Sequence, residues 1–163
     1  MSELISEGYK RISASQVERE RLLAAITLRI RQSLDLDSII NQTVQEVRLF
    51  LQTDRVLVYR FEPDWSGLMV AESVVAPYRA VIGSKIKDPC LAQKHLKKYQ
   101  QGGIRVIDNI ETAFLAECYK DLLANFEVKA NLVVPIIAEE KLWGLLIFFE
   151  MFLSKTRVFY LRT

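Results

Sequence analysis

Apolar and polar residues alternate along this chain with two different periods. Leu22, Leu23, Ile26 and Ile30 fall on one face of a helix that starts at Val17, while Arg19, Glu20, Arg29 and Arg31 spread around the others. Residues 1–16 carry no such stripe, so a flexible, irregular segment is expected ahead of a single domain over 17–163. A second helix, capped by Asp35 or Asp37, carries Leu36, Ile40, Val44, Val47 and Leu51 on one side. The break between the two is very short. They pack as a hairpin, or the first extends as a dimerisation arm.

The period then drops to two. Asp54–Phe61 alternates and is rich in β-branched and aromatic residues, E-P-D-W-S-G (Glu62–Gly67) reads as a turn, and Leu68–Val75 returns as the partner strand. Pro77, Gly83 and Pro89 interrupt the next stretch, leaving a short helix from about Pro89 to Tyr99 that Gly102-Gly103 ends. Ile104–Ile107 reads as a strand, Phe114–Phe126 as a helix with Cys118 near its middle, and Asn131–Ile137 as a strand. Leu142–Phe149 is almost continuously apolar, which marks a central strand covered on both faces. The expected fold class is therefore α+β. An antiparallel sheet takes the N-terminal helices on one face and the looped segment with the Cys118 helix on the other, where a cleft would form.

Composition removes several function classes. Half of the 163 residues are hydrophobic and the net charge is +2, too near neutral to imply nucleic acid. The longest apolar run near the C-terminus is too short to span a bilayer. The N-terminus has no basic region followed by an apolar run, so no signal peptide is expected and the cytoplasm is the default compartment. The one histidine, His95, and two cysteines lack metal-ligand spacing. Cys90 lies five residues from His95, a poor facing for a nucleophile pair on one helix, so no enzyme is expected and His95 reads as a surface helix residue.

The segment V-R-L-F-L-Q-T-D-R-V-L-V-Y-R-F-E-P-D-W-S-G, followed by V-A-E-S-V, closely resembles the start of the GAF domains of cyanobacteriochromes, the small phytochrome-related photoreceptors. I-K-D-P-C-L, K-Y-Q-Q-G, V-I-D-N-I, E-C-Y-K-D-L-L, F-E-V-K-A-N-L-V-V-P-I and L-W-G-L-L-I extend the resemblance, in order and spacing, from about Leu36 to Ile147. It implies a GAF-type sheet and a photoreceptor that holds a linear tetrapyrrole (bilin), phycocyanobilin or its isomer phycoviolobilin. Cys118 matches the cysteine bonded covalently to that chromophore. A thiol suits the role, because it adds to an activated alkene without leaving a labile bond. Cys90 matches the second cysteine of the D-x-C-F subgroup, which adds reversibly to the bridge between rings B and C; Leu91 stands here in place of Phe. Asp88 matches an acid near the pyrrole nitrogens, its other reading being a loop cap. Tyr99, within K-Y-Q-Q-G, joins the cofactor-binding set.

Two departures stand out. Tyr119 follows Cys118 where the family usually has histidine, and Phe149 stands where a histidine usually meets the ring D carbonyl. After L-W-G-L-L-I the chain reads F-F-E-M-F-L-S-K-T-R-V-F-Y-L-R-T, so the usual closing helix is expected to be lacking, by nature, truncation or frameshift. That leaves apolar surface to be covered by self-association into a homo-oligomer. The resemblance thus implies light sensing by isomerisation, with output through a downstream signalling partner or through assembly. The alternative is a GAF-fold interaction or dimerisation module without chromophore.

Overall fold

The computed structural model describes residues 2–87 and 95–152; within the first helix the described side chains are those of 16–28 and from 35 onward. Helix α1 runs unbroken over Ser2–Leu51, in place of an irregular segment and two helices. No glycine or proline occurs between Gly8 and Pro63. An aspartate in a helix interior costs only about 0.7 kcal/mol relative to alanine. Asp35 and Asp37 alone therefore do not end the helix. Gln52, at φ 54°, does so: its left-handed backbone turns the Thr53 N–H onto the Arg48 carbonyl at 3.3 Å.

The chain divides into two compact units, residues 1–39 and 40–163. The first is helical throughout its described length, and every side chain described in it is exposed. The second is a six-stranded antiparallel sheet with short helices. Its elements are β1 (Arg55–Phe61), β2 (Gly67–Val74), β3 (Lys85–Ile86), α2 (Leu96–Gln100), β4 (Arg105–Ile107), α3 (Glu117–Asn125), β5 (Ala130–Ala138) and β6 (Lys141–Glu150). The spatial order is β3-β2-β1-β6-β5-β4, so β6 is central, as its continuous apolar run predicts.

Period-two alternation divides the core. Leu57, Tyr59, Leu145, Ile147 and Phe149 face one cluster, which includes Tyr99, Tyr119 and Leu123 from α2 and α3. Val56, Val58, Ala71, Leu132 and Phe148 face the other, against Val44 with Ile40 and Val47 of α1. α3 starts at Glu117, three residues later than periodicity suggests, and leaves Phe114 fully exposed in the turn before it. Strand β3 is too short to show a period and went unanticipated. Among the described residues, no helix is long and apolar enough to cross a membrane.

Candidate functional site

The cleft lies between the α2/α3 face of the sheet and those two helices. Tyr59, Met69, Leu145 and Ile147 form its floor, and Tyr99, Tyr119, Leu122, Leu123 and Phe126 close over them. Tyr59 takes its place because Gly67, on the neighbouring strand, lies so close that any Cβ would overlap the phenol ring. The Tyr59 hydroxyl donates to the Ile86 carbonyl at 3.3 Å, tying β3 to the cleft. Phe149 is buried on β6 and stacks with Phe126, centroids 6.2 Å apart and planes at 26°.

Four polar residues interrupt this lining or press against it. Tyr119, buried on α3, accepts a hydrogen bond from Asn131 Nδ2 at 3.0 Å. The Arg105 guanidinium lies 4.4 Å from the centre of the Tyr119 ring, a cation–π contact. The His95 ring approaches the same phenol at 6.1 Å. His95 is thus half-buried beside the cleft and is no surface helix residue. Tyr119 is held on several sides, and as a phenol it takes no proton near neutral pH.

Of the six residues implicated by the sequence, Tyr99, Tyr119 and Phe149 come together as cleft lining. Asp88 and Cys90 lie outside the described residues. Cys118 occupies the first turn of α3, not its middle, and is exposed although Tyr119 beside it is buried. Its sulfur is in a disulfide whose partner lies outside the described residues. Sequence reasoning missed Asn131 and Arg105. The signal for Asn131 was available: in A-N-L-V-V-P-I, period two sets this lone amide on the face of Val133, which is core.

The cavity within the lining measures about 50 Å³, room for one or two waters. Sites for drug-sized ligands span roughly 300–1,000 Å³. A larger guest therefore has to part the side chains that line it. Chemically the lining suits a flat conjugated molecule with a few polar edge atoms, because aromatic and aliphatic walls surround one buried amide. Among the described residues, no three His, Cys, Asp or Glu side chains gather as metal ligands.

Comparison with known proteins agrees with this architecture. Residues 35–159 match the GAF domain. A Synechocystis sp. protein, whose name assigns it provisionally to the methyl-accepting chemotaxis proteins, is 40% identical over 130 residues, 80% of this chain. The chain spans only 13% of that relative's length. Among solved structures, the blue-light-absorbing form of the Thermosynechococcus elongatus PixJ GAF domain superposes with a TM-score of 0.70 at 36% identity, covering 74% of this chain and 72% of that one. The phycocyanobilin-bound GAF domain of a cyanobacterial phytochrome superposes with a TM-score of 0.68 at 32% identity, covering 82% and 80%. The matched residues and the shared sheet topology place this chain in the GAF domain family, with its structural likeness to the cyanobacteriochrome GAF domains.

Proposed function

We propose that this chain is a light-sensing domain that holds a linear tetrapyrrole, phycocyanobilin or phycoviolobilin, in the cleft of Tyr99, Tyr119 and Phe149, and bonds it through Cys118. The observation that carries this reading is the position of Cys118 on the helix that closes an aromatic cleft, next in sequence to cleft-lining Tyr119. The chemistry is an addition: the Cys118 S–H adds across the vinyl-derived double bond, a C–S bond forms, the proton passes to the neighbouring carbon and nothing leaves. The sulfur must be a thiol, so its disulfide has to be reduced first. Asp88 is assigned to the pyrrole nitrogens. Cys90 is assigned to the reversible adduct that shortens conjugation. Tyr119 cannot replace an imidazole in proton exchange. Signalling then passes through assembly or a downstream partner.

Co-expression with a phycocyanobilin source, handling under thiol reductant and acid denaturation should leave a zinc-fluorescent band on a gel. Cys118→Ala should abolish it, and a band persisting at full strength refutes the attachment. Cys90→Ala should move the shorter-wavelength photostate to longer wavelength; unchanged spectra in both photostates make Cys90 structural. The disulfide and the small cavity favour a second reading, a GAF-fold interaction module that binds no bilin. Fully reduced protein that stays colourless decides for it.

A further inference from the structure

We infer that Asn131 is a specificity-determining acceptor that selects a pyrrole or lactam N–H of the tetrapyrrole; this rests on the proposed bilin binding. Asn131 lies on β5 with 0% exposure, opposite Phe149 on β6 and Ile107 on β4. Its Nδ2 is held by the Tyr119 hydroxyl, while its Oδ1 is buried without a hydrogen-bond partner. A buried acceptor left unsatisfied costs about 1–3 kcal/mol. With Nδ2 on the Tyr119 hydroxyl, Oδ1 is the unpaired amide atom of a residue that lines the cleft. What satisfies it is an N–H on a flat, otherwise apolar guest. A carbonyl or carboxylate oxygen at the same point would meet lone pair with lone pair. Asn131 therefore favours the orientation of a pyrrole or terminal lactam that presents nitrogen here.

The test uses the full chain carrying Cys118→Ala, so that binding is reversible, with phycocyanobilin as the probe. Asn131→Leu should raise Kd about tenfold, the equivalent of one lost hydrogen bond. It should also move the N–H band of the bound bilin, identified by its D2O shift in resonance Raman spectra. Asn131→Asp keeps an acceptor and should stay within about threefold of the parent, with the N–H band retained. A purely bracing role for Asn131 predicts no Raman change, and thermal unfolding checks that both variants fold. If the parent binds bilin and Asn131→Leu changes neither Kd nor the band, or if Asn131→Asp is as damaging as Asn131→Leu, the inference is wrong while bilin binding stands. If the parent binds none, the functional reading falls and the inference with it.

Discussion

Arg55 on β1 and Glu72 on β2 form an ion pair at 3.0 Å, with side chains only 3% and 2% exposed. The contact is Coulombic, since neither Arg55 Nε nor Glu72 Oε1 makes an aligned hydrogen bond. The pair reaches outward by its other atoms. Arg55 Nη2 donates to the Arg79 carbonyl at 2.6 Å, and Glu72 Oε2 accepts from the N–H groups of Val81 and Ile82 at 2.7 and 2.9 Å. Burial lowers the Arg55 pKa, and the charge of Glu72 is foremost among the influences that oppose the shift. The first prediction follows from this asymmetry. Glu72→Gln leaves a buried cation without its counter-charge and should cost about 3–5 kcal/mol. Replacing both partners with Arg55→Met and Glu72→Leu should cost less than that single change. Urea unfolding measures both, and a double variant less stable than Glu72→Gln would contradict the account.

The core strands were readable because period two is strong where both sheet faces are covered: Leu57 and Val56 point opposite ways, and the chain writes that alternation out. The helix break near Asp35 was misread, since helix-capping residues also tolerate helix interiors when neither glycine nor proline stops the chain. The Arg55–Glu72 pair was not readable, because it depends on strand register, which single-strand patterns do not carry. Tyr99, Tyr119 and Phe149 were reached through family resemblance. Asn131 was passed over because one amide in an apolar strand looks like noise until its neighbours on both sides are known.

The hairpin turn gives a pH prediction. Asp64 accepts hydrogen bonds from the Ser66 hydroxyl and from the Ser66 N–H, the latter at 3.1 Å. The Ser66 hydroxyl first, then its backbone N–H, with Lys85 and Lys87 adding charge, hold the carboxyl below the usual aspartate range. A depressed folded pKa stabilises the fold above the unfolded value of roughly 3.9 and is lost as pH falls through the folded value. Thermal midpoints should therefore decline from about pH 4 downward, and Asp64→Asn should flatten that limb. Identical pH profiles for the two proteins would remove Asp64 from the explanation.

Assembly gives a third. Leu22 and Leu28 are 63% and 57% exposed on α1, and apolar side chains repeated along a helix favour a second helix of the same kind. Val17, Leu23 and Ile26 are exposed on the same stretch, which makes Val17–Leu28 the candidate interface. Light scattering at high micromolar concentration should report a dimer or larger, and Leu22→Lys with Ile26→Lys should shift it to monomer. A monomeric parent chain would rule this out.

The last prediction concerns Phe149, which the family resemblance sets near ring D. The phenyl ring stacks with Phe126 and lies across the strand from Asn131, and it offers no hydrogen bond to a carbonyl. A ring D carbonyl placed there, without a histidine, has to find a backbone N–H, a water or a phenol, or stay unpaired at a cost of about 1–3 kcal/mol. A ring so loosely held should lose excitation by fast motion, giving weak fluorescence and photoconversion that is incomplete or reverts within minutes to hours. Phe149→His restores a donor. Its imidazole also stands opposite the Asn131 amide, whose unsatisfied Oδ1 accepts from a ring N–H and can fix the orientation of that ring. The variant should sharpen the absorption band and slow thermal reversion several-fold. Combining it with Asn131→Leu should erase part of that gain, because the imidazole loses the group that orients it. Spectra and reversion rates unchanged in Phe149→His would show that this side chain does not meet ring D.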